Sequence, residues 1–213
     1  IFECLEKGAE YIHWDEKRKA YQNQTGDIRR GVGMALFSYK TGVWPISLEI
    51  AGARLSLNQD GSVQLQVGAT EIGQGADTVF SQMAAETLHM DISRVHIVTQ
   101  QDTDVTPFDT GAYASRQSFV TGTAVKECAQ QLKQKILEYA RTLVPGNVDR
   151  LELEDGYILA DGKPAISLED LAMESYYSLS NSSVLTAEVS RQVKKNTVAC
   201  LLYTSPSPRD GAT

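Results

Sequence analysis

The sequence predicts an α+β fold in which mixed hairpins and single strands are layered with amphipathic helices. Three observations carry that prediction. Ala53–Leu57 (ARLSL) and Ser62–Val67 (SVQLQV) alternate apolar and polar residues on either side of the turn-forming NQDG. Thr78–Met90 and Thr121–Leu143 instead repeat apolar residues every three or four positions, the period of a helix with one buried face. Leu151–Ala160 is a second hairpin pattern, split by Asp155-Gly156. No internal repeat is visible, and such a mixture suits layered α+β packing.

Taken in order, the chain opens without Met at IFECLEKGAEYIHW, where Leu5, Ala9 and Ile12 fall near helical spacing, so the sequence is expected to start inside a helix with more chain upstream. The first hairpin follows, then the glycine-bearing GATEIGQGAD. In the helix over 78–90 the apolar stripe is Val79, Phe80, Met83, Ala84, Thr87 and Leu88, and Val95–Thr99 (VHIVT) reads as a short buried strand. The polar stretch DTGAYASRQ leads into the long helix, whose face is Val125, Cys128, Leu132, Ile136, Tyr139 and Leu143; Pro145-Gly146 stops it. Ser167 with Asp170 three residues on is a capping-box signature for a last helix from Leu168 to about Glu174. The end of the chain has a different character. CLLYTSPSPRD, from Cys200 to Asp210, lacks an amphipathic period, and it resembles the translation of a transposon-type sequencing-library adaptor. Residues 1–199 are therefore expected to hold the fold and 200–213 to be a non-native, disordered tail.

Composition narrows the function classes. With 213 residues and 42% apolar content the chain suffices for one packed domain, or part of a larger one, without disulfides or metals to hold it. The net charge of −7 arises from 27 acidic against 20 basic residues, and the longest basic run is Lys17-Arg18-Lys19, so a nucleic-acid surface is not expected. Cys4, Cys128 and Cys200 are isolated and form no CxxC or Cys/His ligand spacing, which points to a reducing cytoplasm and away from a zinc or iron–sulfur site. No apolar run approaches the roughly eighteen residues a membrane span requires.

The two polar loops, GATEIGQGAD and DTGAYASRQ, each follow a strand and each start a helix. A helix start leaves about four backbone N–H groups unpaired and carries about half a positive charge, so glycines there let an anion approach closely. One such loop is a weak signal: Gly73-Gln74-Gly75 lacks the third glycine of a dinucleotide fingerprint, and no GK[ST] follows. Two of them within about forty residues, one bearing Gln74 and the other Ser115-Arg116-Gln117, point to a large polyanionic ligand touched from two sides, with ordinary surface turns as the alternative. Arg116 suits a phosphate or carboxylate partner, or a structural salt bridge to Asp104 or Asp109. Glu71 is read as a helix-start acid placed for the dipole and is not assigned as a base. His13, His89 and His96 are scattered over helix and strand and read as ordinary packing or surface residues.

At these residues a resemblance becomes specific. VGATEIGQGADT and VTQQDTDVTPFDTGAYASRQSFVTG, with the helix between them, resemble the molybdenum-cofactor-binding region of the xanthine dehydrogenase and aldehyde oxidase family of molybdenum hydroxylases, a likeness running from Glu3 to Ala199. The resemblance implies a molybdenum–molybdopterin cofactor carrying a cytosine dinucleotide, with the metal held by the pterin dithiolene and no protein metal ligand. The family's GQG loop, which wraps the pterin and its phosphates, carries over onto Gly73, Gln74 and Gly75. Its small-residue loop, beneath the metal and along the dinucleotide, carries over onto Ala112, Tyr113, Ala114, Ser115, Arg116 and Gln117. Ala112 and Ala114 would leave room for metal and substrate, Gln74 can donate and accept, and Ser115 can help hold a phosphate.

The implied reaction is hydroxylation of a purine of the xanthine or hypoxanthine kind with water as oxygen source; aldehyde oxidoreductase and aromatic acyl-CoA reductase branches stay open. The family's glutamate base belongs to a motif that is not found before Cys200, so no catalytic residue is assigned and the chain alone is expected to be inactive. Iron–sulfur clusters and FAD are expected on other domains or subunits, and neither nucleic acid nor membrane as a partner. A noncatalytic binding or assembly module, whose glycine loops are merely turns, is the alternative of another class.

Overall fold

The computed structural model describes residues 2–37, 39, 41–146 and 148–194. The predicted tail from Cys200 onward lies outside the described residues. The chain divides into two compact units, Ile1–Lys40 and Thr41–Thr213.

The first unit holds helices α1 (Phe2–Tyr11) and α2 (Trp14–Ala20), separated by His13 in a left-handed conformation. Neither helix contains a buried residue; Leu5 is exposed, and Ala9 and Ile12, the latter just beyond α1, are half-buried, so the predicted apolar stripe is only partly covered. The second helix escapes a periodicity search because WDEKRKA is short and polar. Its charges run with the helix dipole, Asp15 and Glu16 in the first turn and Lys17 to Lys19 in the last.

The second unit is the predicted α+β layering. A four-stranded sheet has the order β3-β2-β1-β7, built from β1 (Ile50–Leu57), β2 (Val63–Val67), β3 (Val95–Ile97) and β7 (Thr186–Gln192). β2 and β3 are parallel, and the other pairs antiparallel. The hairpin register sets Leu55 opposite Leu65 and Leu57 opposite Val63, so one face of the sheet is a continuous apolar surface. Helix α3 (Ala76–Leu88) and the 27-residue α4 (Gln117–Leu143) cover that face. The buried stripe of α4 contains Val125, Cys128, Leu132, Ile136 and Tyr139 as predicted, whereas α3 buries Ala76, Phe80, Ala84, Ala85 and Leu88 and leaves Val79, Met83 and Thr87 half-buried. β3 is shorter and less buried than the sequence suggests, with only Val95 inside.

A second, three-stranded antiparallel sheet consists of β4 (Leu151–Glu154), β5 (Tyr157–Ala160) and β6 (Lys163–Ser167). The β4–β5 turn places Asp155 and Gly156 at positive φ, the geometry that the Asp-Gly pair signals. β6 contains Pro164, tolerable because this strand pairs on one side only. The capping signature before α5 (Leu168–Tyr177) is realised: Ser167 Oγ accepts the Asp170 N–H at 3.0 Å.

Candidate functional site

Loop 68–75 leaves β2 and starts α3; loop 109–116 starts α4. Two close backbone approaches bring them to one end of the sheet. Asp109 bridges to Ala51 of β1, and the Gly52 N–H donates to Phe108 O at 2.8 Å, so residues 108–109 occupy the position beside β1 that β2 has just vacated. A Cβ on Gly68 would lie 2.1 Å from Pro107 O and 2.9 Å from Asp109 N, which explains a glycine at the strand's end.

The loops touch through their glutamines. Gln74 Nε2 donates to Thr70 O at 3.0 Å and makes a short hydrogen bond to Gln117 Oε1, while Gln117 Nε2 donates to the same Thr70 O at 3.1 Å. Gln74 Oε1 accepts the Ile72 N–H at 2.7 Å. Both donors of Gln74 are thus committed within the chain, and its remaining capacity is as an acceptor.

Glu71 closes the first loop from below. Its carboxylate accepts N–H groups from Gly73 (2.5 Å), Gly75 (3.1 Å) and Asp77 (3.3 Å), so the orphan donors at the start of α3 are met by the chain's own anion. Burial pushes the Glu71 carboxyl up, but those backbone donors and that of Ala76 outweigh it and hold the group below the usual carboxylate range. The dipole role that the sequence suggests for Glu71 is the one observed.

The second loop is bound to a buried ionic cluster. Arg116 donates from Nε to Glu49 at 2.7 Å, from Nη1 to Asp109 at 2.6 Å and to Gly111 O at 2.9 Å, and from Nη2 to Ile50 O at 2.8 Å. Of the two alternatives for Arg116, the salt bridge to Asp109 is therefore formed, and Glu49 is a second partner that the sequence does not betray, lying 67 residues away in the unremarkable ISLEIAG. Tyr113, 37% exposed, sets its ring over the guanidinium at 5.7 Å. Ala114 is buried and Ala112 and Ser115 are half-buried; Ala114 and Ser115 are consecutive non-glycine residues at positive φ, 49° and 54°.

Two buried side-chain oxygens among the described residues lack a hydrogen-bond partner, Asp77 Oδ1 and Thr110 Oγ1, and they belong one to each loop region. Unpaired buried oxygens are costly and mark places where a polar ligand can complete the bonding. Neither stands out in the sequence, because an Asp and a Thr at helix starts and loops are ordinary. A cleft of about 1040 Å³ lies at the other end of α3, bounded by Glu86, His89, Asp91 and Glu154, and includes no residue of the two loops. No group of three or more His, Cys, Asp or Glu among the described residues is arranged to hold a metal, and no helix among them is long and apolar enough to cross a membrane.

Residues 7–203 match the family described as the molybdopterin cofactor-binding domain. The chain is 49% identical over 197 residues to the xanthine dehydrogenase molybdenum-binding subunit of Escherichia coli O157:H7, covering 91% of this chain and 26% of that protein. Among solved structures, the reconstituted CO dehydrogenase from Oligotropha carboxidovorans superposes with a TM-score of 0.61 at 25% identity, over 69% of this chain and 19% of that one. Quinoline 2-oxidoreductase from Pseudomonas putida 86 has the same TM-score at 21% identity, again over 69% of this chain and 19% of the other, and shares the fold. The chain spans about a quarter of the length of that Escherichia coli relative.

Proposed function

The chain belongs to the molybdopterin cofactor-binding domain family, and from that premise we propose that it forms part of a molybdenum hydroxylase acting on a purine of the xanthine or hypoxanthine kind, with loops 68–75 and 109–117 as one wall of the cofactor site. The observation that carries the proposal is the meeting of those loops through Gln74, Gln117 and Thr70 O, with an unpaired buried oxygen beside each.

The residues fit such a group. When bound, the molybdenum–pterin supplies the two-electron redox centre at which a carbon is hydroxylated with oxygen from water. Gly73, Gln74 and Gly75 would face the pterin, offering the free lone pair of Gln74 Oε1 to a ring N–H; the Gly73 and Gly75 N–H groups are held by Glu71, so the phosphates that the resemblance assigns to this loop would need donors elsewhere. Ala112, Tyr113, Ala114, Ser115 and Gln117 would continue the same wall, with Thr110 Oγ1 gaining a partner there. Arg116 fits a different task, since its charge is already matched. Glu71 occupies backbone donors at the start of α3, so that helix start is not left open to an anion.

The 49% identity to a xanthine dehydrogenase molybdenum-binding subunit favours a purine over an aldehyde, an acyl-CoA thioester or carbon monoxide. A cytosine dinucleotide on the pterin, and iron–sulfur and flavin groups on partner domains or subunits, complete the proposal. The test is the metal and pterin content of the purified complete enzyme, with turnover of xanthine, hypoxanthine and an aldehyde in ¹⁸O-labelled water. Near-stoichiometric molybdenum and label in oxidised purine are expected. Absence of both metal and pterin would leave a noncatalytic assembly module, and label in a carboxylate product alone would move the substrate to the aldehydes.

A further inference from the structure

We propose that Arg116 is a positioning residue: clamped between two buried carboxylates, it presets the Ala112–Ser115 loop for a cofactor that it does not itself touch. The proposal rests on the molybdopterin reading above. Arg116 is 1% exposed and Glu49 1%, and the side chain of Asp109 is fully buried, so one positive and two negative groups share a site closed to solvent. A buried charge is tolerated only where partners surround it, and here they do. Four of the five guanidinium N–H donors are used inside the chain, two on carboxylates and two on carbonyls. The guanidinium is 0% exposed, so an anionic ligand could reach even its one unused N–H only by opening the cluster.

The carboxylates are equally committed. Glu49 accepts the Val43 N–H at 2.8 Å besides Arg116. Asp109 accepts the Gly111 N–H at 2.8 Å and the Thr121 hydroxyl at 2.7 Å, and so links the loop to the first turns of α4. The bonds from Arg116 to Gly111 O and Ile50 O tie the loop's two ends to the start of β1, and the Gly42 N–H holds Ala114 O at 2.8 Å. Between these anchors lie Ala114 and Ser115 in left-handed backbone, a conformation that residues with a Cβ keep only where their surroundings dictate it. The cluster therefore fixes the shape of the loop before any ligand arrives.

Two sets of variants in the complete enzyme test this. Arg116→Lys keeps the charge but cannot reach all four acceptors; Thr121→Val removes only the hydroxyl bond to Asp109, and Thr121→Ser retains it. Pterin content, read by fluorescence after oxidative release, is expected to fall about tenfold or more in Arg116→Lys, as for residues that orient a cofactor's ligands. It should fall less in Thr121→Val and return to the wild-type value in Thr121→Ser. Hydrogen exchange over residues 109–117 should quicken in Arg116→Lys and Thr121→Val, with residues 151–160 unchanged. Should Arg116→Lys fail to fold, exchange over 151–160 will rise as well, and the Thr121 pair decides. Wild-type pterin in Thr121→Val, or unaltered exchange over 109–117, overturns the proposal. Pterin absent from the wild-type enzyme overturns the cofactor reading on which it rests, a result distinct from pterin that is present and insensitive to the cluster.

Discussion

Two carboxylates six residues apart at the first loop have opposite pH behaviour. Glu71 is stabilised as an anion by backbone donors, so its contribution to stability is present above its unfolded value of 4.5 and is lost as pH falls through the lower folded value. Asp77 is raised above its ordinary value of 3.8, by burial first and then by the nearby charge of Glu71, and its Oδ1 has no partner. The sign is therefore reversed: in the ligand-free chain Asp77 favours folding below pH 3.8 and opposes it as pH rises through the folded value. Asp77→Asn should raise the thermal midpoint of the cofactor-free protein at about pH 7, and the gap should close as pH falls towards about 4. A midpoint lower at both pH values would mean that the ionised carboxylate is doing structural service that the hydrogen bonds do not reveal. Such a pair illustrates why residues of a binding site are hard to read from sequence. Glu71 is consumed by the helix start, as its position suggests, while the acid left unpaired, Asp77, occupies an ordinary first-turn position.

Among the elements, the end of β2 is where the fold and the site meet. Gly68 allows Pro107–Asp109 to lie against the strand, and a Cβ there would strike backbone, which cannot swing aside as a side chain can. Gly68→Ala should cost about 1–3 kcal/mol through overpacking and displace Asp109 from Arg116 and Thr121. The measurements are the chemical-denaturation midpoint and the hydrogen exchange of residues 109–117. An unchanged midpoint would show that the 107–109 segment can move away freely. The elements themselves divide by how local their causes are. The 53–67 hairpin, α3, α4, the Asp155-Gly156 hairpin and the Ser167 cap are legible because turn residues and helical period lie within a few positions of one another. β1 begins three residues before the alternation announces it, and β7 pairs with it across more than a hundred residues, so its TAEVSRQ means little until the partner is known. The start of α4 at Gln117 was hidden too: Arg116 makes no side-chain cap bond, and Gln117 to Val120 carry no stop or start signal of their own.

For the whole molecule, the two loops form a single site only if their contact is felt by both. The sequence supplied both segments and their glutamines; the shared acceptor, Thr70 O, and the remote carboxylate Glu49 became visible only once the sheet had brought them together. Removing either amide leaves part of a clasp unpaired, so Gln74→Ala and Gln117→Ala in the complete enzyme should each lower molybdenum retention about tenfold, equivalent to roughly 1–3 kcal/mol. Since both side chains bond to one another and to one carbonyl, the first substitution already breaks most of what the second would break. The double variant should therefore retain more metal than the product of the single effects allows, by an interaction of about 0.5–3 kcal/mol. Gln59→Ala, in the exposed turn of the first hairpin, serves as the control and should keep the full metal content. Strict multiplication of the single losses would mean that each loop meets the cofactor on its own and that the glutamine contact is incidental. Wild-type metal in all three loop variants would mean that the clasp serves the fold alone, because a wall that can lose its joining contacts without releasing the cofactor is not holding it.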